Sequence, residues 1–144
     1  MKPAAQHLPA SAASQRGATL LEVLISIVVL AVGLLGYAGL QTVSLKNNLS
    51  AYHRSQATML AYDVIDRIRA DEPNAETYVL AFGDTPAGDL GQWLNLVKDA
   101  LPGADAQIAF PDPLGTEPFT VQVTIRWEDE RDGGTLDFVT ESAL

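Results

Sequence analysis

The chain has 144 residues, with nine Lys and Arg against 18 Asp and Glu, yet 47% of it is hydrophobic, so its apolar residues must be gathered in one place. The charge is gathered too: residues 1–62 hold Lys2, Arg16, Lys46 and Arg54 against the single acid Glu22, whereas residues 63–144 hold 17 acids against five basic residues. A part so acidic repels phosphate backbones and argues against nucleic-acid binding through it, and with no cysteine there is no thiolate catalysis, cysteine-ligated zinc or disulfide.

Residues 1–17, MKPAAQHLPASAASQRG, contain two basic residues, no acid and no apolar block, and read as a cytoplasmic leader. A secretory signal would place its cleavage site after the apolar stretch, and here the apolar stretch begins directly after Arg16-Gly17. Ala18 to Leu40 is 23 residues whose clearly polar members are Thr19, Glu22 and Ser26. At about 1.5 Å per residue such a helix crosses the roughly 30 Å hydrocarbon core of a bilayer. With Lys2 and Arg16 ahead of the span, the positive-inside rule places the N-terminus in the cytoplasm and everything after Leu40 across the membrane.

Glu22 has two readings. A carboxylate about one turn inside an apolar helix costs on the order of a few kcal/mol unless it meets a partner. If the chain is cut between Gly17 and Ala18, the new α-amine is a cation four residues away, reachable within one chain or between neighbouring chains staggered by a turn. Alternatively the acid sits at headgroup level, solvated beside the positive end of the helix. Gly33, Gly36 and Gly39 recur every three residues in the span. They either weaken the helix locally, at about 1 kcal/mol each relative to Ala, or let neighbouring backbones approach closely. A nucleotide-binding loop is excluded by their spacing and mid-helix position.

The run Arg16-Gly17-Ala18-Thr19-Leu20-Leu21-Glu22-Val23 resembles the class III leader junction of type IV pilins and pseudopilins. The continuation through Val32-Gly33-Leu34-Leu35-Gly36-Tyr37-Ala38-Gly39-Leu40-Gln41 is similar in particular to PilV-type minor pilins, the type IV pilus modification proteins. The resemblance implies that a prepilin peptidase cuts after Gly17 and methylates Ala18, where the family most often has Phe. It also implies that Glu22, the fifth mature residue, neutralises the amine of an adjacent subunit during assembly. Thr19, Leu20, Leu21 and Val23 would flank it in that contact, and Gly33, Gly36 and Gly39 would lend the helix flexibility.

Beyond Leu40 the helical pattern continues. Leu45, Leu49, Tyr52, Gln56, Leu60, Val64 and Ile68 recur at intervals of three or four, and no Pro intervenes before Asp71. One helix is therefore expected to run to about Arg69 with this stripe facing a partner. Asp71-Glu72-Pro73-Asn74 ends it, because a residue before Pro is pushed out of the α region. Residues 75–88 read as loop. Asp89 is a candidate cap for a short helix presenting Leu90, Trp93, Leu94, Val97 and Leu101 on one face and stopped by Pro102-Gly103. The segment Trp93 to Gly103 also resembles the PilV-type head.

Phe119, Val121, Val123, Ile125 and Trp127 alternate strictly with Thr120, Gln122, Thr124, Arg126 and Glu128, the signature of a half-buried strand. Glu130 to Gly134 supplies a turn, Leu136, Phe138 and Thr140 begin a return strand, and Gln107 to Phe110 is a third candidate. The expected fold is α+β: a long N-terminal helix, transmembrane in its first half and amphipathic in its second, packed on a small antiparallel sheet, which coincides with the pilin fold.

No catalytic constellation is visible. His7 and His53 have no second ligand at useful spacing, and Glu128, Asp129, Glu130 and Asp132 lack the order of a Ca²⁺ loop. The expectation is a non-enzymatic subunit with no cofactor and no metal, in four parts: leader 1–17, transmembrane and assembly helix 18–40, amphipathic continuation 41–70, and acidic periplasmic head 71–144. The resemblance implies a protein of the bacterial inner membrane, later incorporated in the pilus. Its partners would be other minor pilins, the major pilin, prepilin peptidase and the inner-membrane assembly platform. Two rivals stay open: a type II secretion pseudopilin, and a single-span membrane-anchored periplasmic binding protein.

Overall fold

The computed structural model describes residues 14–111, 120–129, 131 and 133–144, with side chains from residue 19 onward. Most of the expected leader, Phe119, and Glu130 and Asp132 of the expected turn lie outside the described residues, as does His7.

Helix α1 spans Ser14–Ala70, 57 residues. Several of its hydroxyl side chains are spent on the helix itself: Ser26 donates to the Glu22 carbonyl at 2.8 Å, Thr42 to Ala38 at 3.1 Å, and Thr58 to Arg54 at 2.9 Å, whereas the buried Ser50 donates to the Asp129 carboxylate at 3.3 Å. The first three bond the carbonyl four residues back, so none of them offers an unmet donor to an apolar surrounding. Arg67 and Arg69 stand in the last turn, where cations complement the helix dipole. The Asp71 amide then bonds both Arg67 and Ile68 carbonyls and closes the helix ahead of Pro73.

The chain divides into two compact units, one running to Thr42 and the other from Val43 to Leu144. In the first unit every residue from Thr19 to Thr42 is exposed. The second unit has its own core, built by Ala57, Ala61, Val64, Ile65 and Ile68 of α1, by helix α2 (Gly88–Ala100), and by a three-stranded antiparallel sheet. The strands are β1 (Asp105–Ala109), β2 (Thr120–Asp129) and β3 (Gly134–Ala143), in the order β1-β2-β3. The register sets Ile108 and Thr140 on either side of Val123, and Leu136 beside Trp127. Val121, Val123, Ile125 and Trp127 are all buried, as the alternation requires.

Three expectations need correction. The stripe read from the sequence is buried only in its distal part: Val64 and Ile68 are wholly buried and Leu49, Gln56 and Leu60 half-buried, but Leu45 is 61% and Tyr52 56% exposed, and Ser50, Ala57, Ala61 and Ile65 join the buried face. The small Ala57 and Ala61 let the helix lie close to its neighbours there, and Val64, Ile65 and Ile68 fill the core beyond them. Of the expected loop 75–88, residues 75–78 instead belong to a 3-10 helix, Glu72–Tyr78, opened by Pro73 and burying Ala75 and Tyr78. It leads to Leu80, which lies beside β1 and exchanges backbone bonds of 3.0 and 2.9 Å with Ile108 of that strand. Asp89 does not cap α2. Ala87 holds that position without a side-chain cap, and Asp89 lies inside the first turn with its carboxylate on Arg67 at 2.7 Å. The approach into α2 also dictates Gly91, where a Cβ would run into the Pro86 carbonyl oxygen.

Candidate functional site

The residues singled out in the sequence lie on the first half of α1. Gly17 and Ala18 are within its helical span, near its start at Ser14. Thr19, Glu22 and Val23 are exposed, as are Leu20 and Leu21, at 74% and 59%. Exposure of such large apolar side chains continues without a break through Leu40 at 72% and Leu45 at 61%. A surface of this extent is not left to water by a folded chain, and the helix is long and apolar enough to cross a membrane.

The helix geometry also sorts the marked residues. At about 100° per residue, Glu22, Ser26, Val29, Gly33 and Gly36 fall within roughly 40° of a common line, whereas Gly39 lies about 100° away. The glycines drift around the helix by about 60° per step, so they do not form one continuous small-residue stripe. Gly33 and Gly36 share the face of the lone acid, and a Cβ at any of the three would meet no atom within 4 Å. The space beside that face is open within the chain.

The second unit carries a different kind of feature. A groove of about 210 Å³ lies between α1 and the sheet, lined by Arg54, Thr58, Trp127, Leu136, Asp137 and Phe138. Trp127 is buried and its indole N–H has no acceptor among the described residues, in contrast to Trp93, whose N–H donates to the Leu60 carbonyl at 2.9 Å. Four of the five arginines in this unit hold carboxylates: Arg67 grips Asp63 and Asp89, Arg69 Asp66, Arg126 Asp137, and Arg131 Asp129. Hydrogen bonding to Asp89 raises the Arg67 guanidinium above its ordinary value, and that to Asp137 does the same for Arg126. Reciprocally, Arg126 holds the Asp137 carboxyl below its ordinary value. Arg126 also stacks on the Phe82 ring at 4.3 Å. Burial raises the Tyr78 phenol.

Sequence reading missed Arg54 and the Trp127 N–H. The signal for Trp127 is its inward place near the end of an alternating strand, where a buried indole N–H needs an acceptor. His53 lies against Tyr52, ring centroids 6.0 Å apart. Among the described residues no three His, Asp or Glu side chains are grouped to hold a metal ion.

Residues 12–38 match the prokaryotic N-terminal methylation motif. No curated protein and no solved structure matches the chain significantly. The motif is the signal of type IV pilins and pseudopilins, which are structural subunits rather than enzymes, and it contains Gly17, Ala18, Glu22, Gly33 and Gly36. Together with the exposed apolar helix it marks a membrane-anchored chain. The long apolar helix followed by a three-stranded antiparallel sheet is the α+β arrangement expected of a pilin-like chain.

Proposed function

We propose that the protein is a minor pilin, a structural subunit that primes, assembles or modifies a type IV pilus. The observation that carries this reading is Glu22, the single acid in the otherwise apolar and exposed first half of α1, residues 19–42, which overlaps the matched methylation motif. In this reading prepilin peptidase cuts between Gly17 and Ala18 and methylates Ala18. The leader faces the cytoplasm, and residues 71–144 form the acidic periplasmic head. Association energy then comes from burying Leu20, Leu21 and Val23 to Leu40 against other pilins, at roughly 25 cal/mol per Å² of apolar surface.

Glu22 sets register. Its carboxylate is costly in a low-dielectric bundle unless an opposite charge meets it, and the cleaved α-amine of a neighbouring subunit is such a charge. Misregistered neighbours leave both charges unpaired. Gly33 and Gly36 lie on the same face and permit close backbone approach beside the pair.

The test is recovery of the protein with sheared pili from cells carrying Glu22→Ala, Glu22→Asp or the native chain. The reading expects cleavage in all three, and a loss of at least about tenfold in pilus-associated protein for Glu22→Ala, with partial recovery for Glu22→Asp. Normal incorporation of Glu22→Ala would remove the register role. Recovery only with a secretion machine, and never with pili, would move the protein to the pseudopilins.

A further inference from the structure

Arg54 lies at the groove between α1 and β3, exposed, and among the described residues it is the one arginine of the second unit without a carboxylate partner. This stands out in a region with so many acids, where the other four arginines are paired. Asp137 lines the same groove but does not answer Arg54, because Arg126 engages both of its oxygens at 2.8 and 2.9 Å. Thr58 also lines the groove, its hydroxyl donating to the Arg54 carbonyl; the remaining lining is aromatic and aliphatic: Leu136 and Phe138 of β3 are half-buried, and Trp127 brings a buried indole whose N–H has no acceptor among the described residues.

The sheet adds a second, independent observation. β3 is an edge strand of ten residues, and among the described residues no further strand pairs with its outer side. The opposite edge is different, since β1 is covered in part by the Leu80 bridge to Ile108. At its far end β3 is tethered by Arg69, which hydrogen-bonds the Ser142 hydroxyl. An uncovered edge presents a row of backbone donors and acceptors ready for another extended chain. Such a chain alternates its side chains across the two sheet faces, so every second one points to the face that carries Leu136 and Phe138.

We infer that this groove docks an extended segment of a partner protein, which adds to the free edge of β3 and places a carboxylate on Arg54. The segment carries an apolar side chain and an Asp or Glu two residues apart, both on the core-facing side. The apolar group packs on Leu136, Phe138 and the Trp127 ring, and the carboxylate completes the pairing that Arg54 lacks. Backbone pairing supplies affinity, and the spacing of the two side chains supplies selectivity. The docking site stands whether or not the filament reading does, because it involves no residue of the apolar half of α1.

The full chain, labelled with ¹⁵N in detergent micelles, can be titrated with the acetylated and amidated pentapeptide Thr-Phe-Thr-Asp-Thr and with its Asn counterpart. The Trp127 indole resonance, assigned through Trp127→Phe, reports on the groove, and the Trp93 indole serves as an internal reference. The expected result is a saturable shift of the Trp127 resonance and slower amide exchange along β3 with the Asp peptide. Binding should weaken at least about tenfold for the Asn peptide and for Arg54→Gln, the loss of one hydrogen bond between charged groups. Arg54 has no carboxylate partner to lose among the described residues, so this variant should fold as the native chain does. Lys98→Gln, which removes an exposed charge on α2, should bind normally. An unmoved Trp127 resonance at millimolar peptide would overturn the inference, as would equal binding by Arg54→Gln or equal weakening by Lys98→Gln.

Discussion

The two halves of α1 belong to one continuous helix and have opposite fates. From Thr19 to Thr42 every side chain is exposed, although this is the most apolar stretch of the chain. In the half that follows, Ala57, Ala61, Val64, Ile65 and Ile68 are wholly buried against α2 and the sheet. Hydrophobicity alone therefore does not decide which residues make the core. The second half has a sheet and a helix of its own chain to cover it, and the first half has none among the described residues, so its covering must come from lipid or from other proteins.

That contrast can be broken most severely in the second unit. Val123→Asp puts a carboxylate at a wholly buried position between Ile108 and Thr140. It should cost on the order of 4 kcal/mol or more and unfold the unit, seen as loss of the denaturant transition followed by tryptophan fluorescence. A retained midpoint would refute the assignment of β2 as the central strand.

A smaller effect separates the two tryptophans. Trp93→Phe and Trp127→Phe both remove ring volume from the core, but only Trp93 also loses a hydrogen bond, to the Leu60 carbonyl. Trp93→Phe should therefore be the more destabilising, by about 1 kcal/mol in the same denaturation experiment. Equal costs would mean that the Trp127 N–H is satisfied after all.

The exposed pair Arg126–Asp137 should matter less. Its hydrogen bond holds the Asp137 carboxyl below its ordinary value, so the folded chain releases that proton more readily than the unfolded one. The stabilisation is present above the ordinary carboxylate value and is lost as pH falls through the lower folded value. Carboxyl titration by ¹³C NMR should show Asp137 moving up in Arg126→Gln, and added salt should shrink the difference.

At the far end of the scale, Leu30→Ala should leave the unfolding midpoint of the second unit within about 0.5 kcal/mol of native, because Leu30 is 63% exposed and contributes nothing to that core. The same substitution should reduce pilus incorporation. A large change in midpoint would erase the distinction between the two halves.

Periodicity alone makes the long helix and the central strand legible in the sequence. α1 ends at Ala70, beside the expected Arg69, and β2 runs Thr120–Asp129 against an expected Phe119 to Glu128. The candidate third strand is β1, displaced by one or two residues. What periodicity does not supply is decided by partners distant in sequence. The core face of α1 takes in Ala57, Ala61 and Ile65 beside the expected Val64 and Ile68, because the sheet and α2 cover that side of the helix. Asp89 turns to Arg67, 22 positions away, and the 3-10 helix after Pro73 is held by burial of Ala75 and Tyr78. The candidate site divides the same way. Gly17, Ala18 and Glu22 are local and can be marked from a motif. Arg54 gains meaning only with β3 and Trp127 beside it, because nothing in the sequence near Arg54 points to them.

The central claim is that the apolar half of α1 is a processed assembly helix, and intact mass spectrometry of the protein from membranes tests it most directly. The chain from cells with prepilin peptidase should be lighter by the mass of residues 1–17 less one added methyl group, beginning at Ala18. A chain of the same full-length mass in both would contradict the account, and would leave a membrane-anchored protein whose exposed helix serves only to hold it in the bilayer.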